Sequence, residues 1–334
     1  MNTTTHALSR RQCIALLVQT AMVASPVMMA TTALAQSWPS KPIRLIVPSG
    51  VGSVGDAVAR MLSNHMSNSM GQAVVVENVT GAGGLTGTTQ VVRGQKDGYT
   101  VGVISNNTAI NPVIYKTMPF DTATEIGPIG RIGETPLVLV SNAALPAADL
   151  RELIALAKSK PGGMNYGSGG NGSVPHLAGV MLVTEAGVNI VHVPYKETGR
   201  VLADVVGGQI QMAFVGIGSA VSLIQAGTVR AIGVTALRRS SSLPQVPTMS
   251  EAGLPGFHIS GWMALAGPAG VPKAVVDRLN HELNAALSLP EVRERLQKLG
   301  VEIQTSSPGE ANEFFLKELD KYGPLVRRSG AVGG

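Results

Sequence analysis

The 334-residue sequence contains a single cysteine, Cys13, so no disulfide can form within the chain. Aromatic residues make up only 4%, too few for the stacking platforms on which single-strand nucleic-acid binders hold bases. Charged residues are also scarce, 14% against 44% apolar, which excludes a disordered chain and favours a buried core. The 40 glycines and 20 prolines follow no G-X-Y period, so a collagen-like chain is excluded.

What charge there is sits unevenly. Residues 1–35 contain Arg10 and Arg11 and no acid, then an apolar run Ile14-Ala15-Leu16-Leu17-Val18, and end in Ala33-Leu34-Ala35. A positive start, an apolar middle and an A-x-A end describe a secretory signal peptide cleaved after Ala35. The alternative is a membrane anchor. Gln19, Ser25, Pro26 and Thr31-Thr32 interrupt that stretch, whereas a span needs about 20 predominantly apolar residues. Ser9-Arg10-Arg11 leaves both the general and the twin-arginine export routes open. Cleavage removes Cys13 and leaves 24 basic against 21 acidic residues, so the formal charge falls from +5 to +3. Thiol nucleophiles and cysteine-ligated metals drop out. The only tight basic pairs left are Arg238-Arg239 and Arg327-Arg328, which is no nucleic-acid footprint.

The rest alternates short β-branched runs with amphipathic stretches. Runs at 43–47, 73–77, 99–104, 138–140, 190–193, 210–215 and 229–235 predict strands. Residues 56–70 predict a helix with Val58, Met61, Leu62 and Met66 inward. Residues 149–160 predict another, stopped by Pro161-Gly162-Gly163. Helices near 273–287, 290–299 and 308–328 close the chain. The alternation predicts an α/β fold with largely parallel sheets.

Glycine-rich loops recur at strand ends, at 49–55, 81–84, 167–173 and 216–219. In open α/β sheets ligands bind beyond the carboxyl ends of strands, where glycine lets backbone N–H groups approach and a helix start favours an anion. Gly50-Val51-Gly52-Ser53-Val54-Gly55 is a literal G-x-G-x-x-G, with Glu77 spaced to take a ribose hydroxyl. Three features oppose a dinucleotide site. Pro48-Ser49 intervene before the first glycine, Asp56 puts a carboxylate where a pyrophosphate would sit, and an exported chain leaves the compartment rich in nicotinamide cofactors. The competing reading is a tight turn with Asp56 capping a helix. No cofactor is expected.

The loop from Gly167 to His176 offers small hydroxyl and amide groups suited to a carboxylate, with Ser173 as a candidate N-cap. No G-x-S-x-G elbow surrounds Ser53, Ser168 or Ser219. His65, His176, His192, His258 and His281 show no metal-ligand spacing. His176 reads either as a structural hydrogen-bonder or as a ligand contact.

A series of short motifs then runs in order along the chain. They begin with Trp38-Pro39-Ser40-Lys41-Pro42, Val74-Val75-Val76-Glu77-Asn78, Gly81-Ala82-Gly83-Gly84 and Asp97-Gly98-Tyr99-Thr100. They continue with Asn165-Tyr166-Gly167-Ser168, Gly170-Asn171-Gly172-Ser173, His192-Val193-Pro194-Tyr195-Lys196, Glu251-Ala252-Gly253-Leu254-Pro255-Gly256 and Gly267-Pro268-Ala269-Gly270. Together they resemble the periplasmic receptors of tripartite tricarboxylate transporters, the Bug or TctC-like family, from Trp38 to about Gly330.

The resemblance implies a two-lobed, type II periplasmic-binding-protein fold of the α/β class, flytrap-like and without catalysis. Residues 36–137 and 264–334 would form one lobe and 138–263 the other, with crossings near 135–141 and 258–266. It implies that a small mono- or dicarboxylic acid is held in the cleft by loop amides, small polar side chains and waters. The residues so implied are Ser49, Gly50, Ser53, Gly55 and Asp56 of the first loop, and Ser105 and Asn106 after the third strand. Ser168, Asn171, Gly172, Ser173 and His176 of the third loop follow, then Thr198 and Gly216. The partners implied are the membrane components of such a transporter, with the receptor itself a monomer. The sequence departs from the family at Ser49, Ser53, Val54, Glu197, Arg200 and Val215. At the last position an Asp is common, so recognition of an amino group is put in question. Arg200 reads either as a fork for a carboxylate or as an exposed residue paired with Glu197. Two other functions stay open: an exported hydrolase using Ser173, and a receptor that feeds a sensor.

Overall fold

The structure, a computed structural model, describes residues 38–195 and 198–331. The segment read as a signal, residues 1–35, lies outside the described residues, as do Lys196 and Glu197. Lys41–Gly334 makes one compact unit.

That unit opens with β1 (Ile43–Val47), α1 (Val54–Met70), β2 (Val74–Asn78), α2 (Leu85–Val92), β3 (Thr100–Ser105) and α3 (Asn106–Ile114). Strand β1 buries Ile43, Leu45, Ile46 and Val47 and pairs in parallel with both β2 and β3. Its one exposed residue, Arg44, grips Glu77 of β2 through two hydrogen bonds of 2.9 and 2.7 Å. Glu77, the residue spaced for a ribose, is thus already engaged. Helix α1 turns Val58, Ala59, Leu62 and Met66 inward at helical spacing and ends at Gly71, where φ is 66°.

The 17-residue strand β4 (Ile126–Asn142) joins two halves of a ten-stranded sheet. Its first part pairs with β9 (Ser260–Pro268) and β10 (Glu302–Ile303), its second with β7 (Met212–Gly216) and β8 (Val229–Val234). In the second half β5 (Asn165–Ser168) lies in parallel between β6 (Val191–Pro194) and β7. Around it are α4 (Leu150–Ser159), α5 (Val174–Ala186), α6 (Thr198–Val206) and α7 (Ile217–Gln225). The chain closes with α8 (Lys273–Ser288), α9 (Pro290–Lys298) and α10 (Pro308–Ser329).

The sheet is therefore mixed rather than largely parallel. The physical reason is the path of the chain: β4 leaves the first half-sheet and β9 returns to it, so the two run antiparallel. Successive residues of β4 face opposite sides, Leu137 and Leu139 in one apolar core, Val138 and Val140 in another. Helix α5 comes close to β5 because Gly179 has no side chain; a Cβ there would lie 1.9 Å from the Tyr166 ring.

Candidate functional site

Three strand-to-helix turns end on one space. β1 leads through Pro48-Ser49 to α1, and β3 and β7 lead straight into α3 and α7. The first two residues of each helix are Val54 and Gly55, Asn106 and Asn107, Ile217 and Gly218. All six line a cavity of about 590 Å³. The first N–H groups of a helix have no intrahelical acceptor, and the summed peptide dipoles place about half a positive charge there. Three such ends, from helices of 17, 9 and 9 residues, make the cavity electropositive without an exposed cation at its centre. Ser49, Ser53 and Ser105 add hydroxyls to the same wall, and Gly216 closes its α7 side.

The acid in the first turn of α1 does not cancel this field. Asp56 is buried, and its carboxylate accepts the Gly52 N–H and the Asn78 amide, each at 3.0 Å, with Arg60 also at 3.0 Å. It braces the loop from behind and does not line the cavity. The Gly52 N–H, then Arg60 and Asn78, hold its pKa down at about 2. An unfolded aspartate titrates near 3.9, so this stabilisation is complete above about pH 4 and is lost as pH falls toward 2. Asp56→Asn should flatten the fall in melting temperature between those pH values. An unchanged slope would remove Asp56 from the account. Ser53 caps α1 by accepting the Asp56 N–H at 3.2 Å, and its Oγ is 2.7 Å from the Ser49 Oγ.

The third loop has the composition of the first but a different arrangement. Ser168 is buried, with its Oγ 2.7 Å from His192 Nε2. Ser173 donates to the Gly170 carbonyl at 2.7 Å and accepts the His176 N–H at 3.4 Å. His176 Nδ1 accepts the Gly172 N–H at 3.0 Å, and its ring stacks on His192 with centroids 3.8 Å apart. Burial, then the neighbouring His192, lower the His176 pKa to about 4, and burial lowers that of His192. Ser168 and His192 have the spacing of a nucleophile and base. Among the described residues, however, no carboxylate is hydrogen-bonded to His192, and Ser173 is occupied as a cap.

The cavity thus gathers Ser49, Ser53, Gly55, Ser105, Asn106 and Gly216 of the residues predicted from sequence. Gly50, Asp56, Ser168, Asn171, Gly172, Ser173 and His176 are not in its wall. Thr198 begins α6, and Arg200 of the same helix pairs with Asp204 at 3.1 Å. Sequence reasoning missed Thr135 and Pro136 of β4, Trp262 and Met263 of β9, and Lys298, Leu299 and Gly300 at the end of α9. The strands were traceable through the expected crossings. Lys298 to Gly300 carried no local signal, and they reach the site where the Gly300 backbone packs against Gly218; a Cβ on Gly300 would lie 3.6 Å from the Gly218 N. Gly300 has φ +73°, which an L side chain rarely adopts.

Among known proteins, the family described as "Tripartite tricarboxylate transporter family receptor" matches residues 58–331. A protein of Pseudomonas sp. strain P51, described as a UPF0065 protein in the tcbD-tcbE intergenic region, is 36% identical over 291 residues, 87% of each chain. The solved periplasmic binding protein BugD is 33% identical, with a TM-score of 0.70 over 89% of this chain and 100% of its own. Rpa4515 of R. palustris, solved with adipate, is 29% identical, with a TM-score of 0.73 over 89% of this chain and 100% of its own. The strand crossings at β4 and β9, the mixed sheet and these likenesses agree, and the chain belongs to the tripartite tricarboxylate transporter receptor family, with its two-lobed periplasmic-binding-protein fold.

Proposed function

We propose that the protein is a periplasmic receptor that captures a small organic carboxylate and presents it to the membrane components of a tripartite tricarboxylate-type transporter. The observation that carries this reading is the convergence of the α1, α3 and α7 N-termini on one cavity. Six amides without intrahelical acceptors and a ring of hydroxyls suit an anion that accepts several hydrogen bonds at once. The adipate bound to the related Rpa4515 supports the same ligand class.

On this reading residues 1–35 export the chain and are removed. Residues 36–137 with 264–334 form one lobe and 138–263 the other, and β4 and β9 act as the hinge. The amides of α1 and α3 then belong to the first lobe and those of α7 to the second, so a bound acid draws the lobes together. The acid leaves unchanged, and the receptor acts as a monomer.

The test is a panel of mono-, di- and tricarboxylates on protein beginning at residue 36, followed by thermal unfolding and calorimetry. A ligand at a hundred times its Kd should add about 2.7 kcal/mol of stability and raise the melting temperature. A panel without any shift or heat would overturn the reading.

A further inference from the structure

We propose, resting on the carboxylate reading above, that the acid captured here carries one carboxylate on an apolar body. Charge in the cavity wall supports one anionic group and no more. The three helix ends, after Ser53, Ser105 and Gly216, line the same cavity and are its anion-binding groups. Among the described residues that line the cavity there is no Asp or Glu, so an ammonium group would be desolvated without a counter-charge. Val215, at the end of β7, is buried and apolar.

A second carboxylate fares no better. The only charged residue in the described lining is Lys298. Its ammonium already pairs with Glu294 one helical turn back, at 2.7 Å, and both side chains are largely exposed. Solvent screens an ammonium so exposed, and its partner carboxylate lies beside it, so it offers a distal anion little attraction.

The rest of the wall is mostly apolar, with Thr135 and Ser219 as its polar members. Val103, Pro136, Ile217, Met263 and Leu299 face the same space as the helix ends. Val54 and Leu299 are 38% and 37% exposed, unusual for large apolar side chains grouped around one opening. A ligand body that covers them gains affinity by removing them from water. A volume of about 590 Å³ accommodates a branched or aromatic acid.

Two matched pairs of probes test this by calorimetry on the chain from residue 36. Hexanoate and adipate differ only at the distal carbon, a methyl in one and a carboxylate in the other. 4-Methylpentanoate and leucine differ only by the α-ammonium group. The expected result is that each simple monocarboxylate binds at least about tenfold tighter than its charged partner. Leu299→Asn, a change at an exposed position, should weaken hexanoate about tenfold. Adipate or leucine binding as tightly as its partner, or tighter, overturns the proposal and leaves the carboxylate reading standing. A preference for adipate that Lys298→Met abolishes would do the same and would assign Lys298 to the distal carboxylate. No heat from any of the four acids, with heat from another acid of the wider panel, would overturn this inference and leave the carboxylate reading standing.

Discussion

Asn106→Asp should lower carboxylate affinity about a hundredfold while leaving the fold at least as stable as before. Asn106 is the first residue of α3, is half-buried and lines the cavity. The substitution keeps the shape of the side chain, adds a negative charge and replaces the exposed amide that donates to Asn107 Oδ1 at 3.2 Å by an acceptor. For the helix, an acid in the first turn complements the dipole and contributes about 0.3–1 kcal/mol of stability. An anion bound within about 5 Å of it would meet a like charge. At an effective dielectric near 20 that costs about 3 kcal/mol, close to two powers of ten in affinity. The two effects have opposite signs, which separates a change in the site from damage to the protein. Calorimetry with the best acid of the panel measures the first effect, and urea unfolding the second. Unchanged affinity would mean that the α3 N-terminus does not hold the ligand.

The logic of this prediction was partly legible in the sequence. Ser173 before α5 and the glycines after α1 and α5 mark ends that local chemistry decides, and the structure places caps there; at α1, however, the cap is Ser53, and Asp56, read from sequence as the cap, lies in the first turn, because the helix starts two residues earlier, at Val54. The apolar runs of β1, β3 and β7 were recognisable for the same reason, whereas β5, Asn165-Tyr166-Gly167-Ser168, has no apolar run and was missed. Strand β4 was not, except near Val138–Val140. Gly127, Pro128, Gly130, Gly133 and Pro136 lower its intrinsic strand propensity, and pairing with β9, with two register shifts, holds it extended. Strand β9 is buried at every position, so it shows no alternation. What the sequence could not reveal is which glycine-rich loop faces the cavity. The first and third loops have similar compositions, yet Ser168, Ser173 and His176 point their polar atoms into their own loop. That difference depends on His192, which arrives from β6. Lys298 to Gly300 join the site from far along the chain, and only tertiary packing places them there.

The His176–His192 stack carries the second large prediction, a loss of about 2–3 kcal/mol of stability between pH 7 and pH 4.5. The rings lie 3.8 Å apart and 14° from parallel, with Tyr166 tilted against His192 at 4.9 Å. His176 is 4% exposed. Because its Nδ1 accepts the Gly172 N–H, the neutral ring carries its hydrogen on Nε2. A proton on Nδ1 would break that bond and place a cation against a second imidazole in a buried site. Burial and then His192 accordingly hold the His176 pKa at about 4, whereas the unfolded side chain titrates near 6.5. Above pH 6.5 both states are neutral and the fold has its full stability. Between 6.5 and 4 the unfolded chain binds a proton that the folded one refuses, so acid favours unfolding; below 4 the loss is complete. Burial lowers the His192 pKa as well, so its contribution has the same sign. His176→Asn keeps an oxygen able to accept the Gly172 N–H and removes the titrating ring. Urea unfolding of the variant from pH 7 to 4.5 should therefore show a much flatter stability profile than the parent. A profile as steep as the parent's would locate the acid sensitivity elsewhere. Asp56 cannot supply it, because its own window lies lower, between about pH 4 and 2.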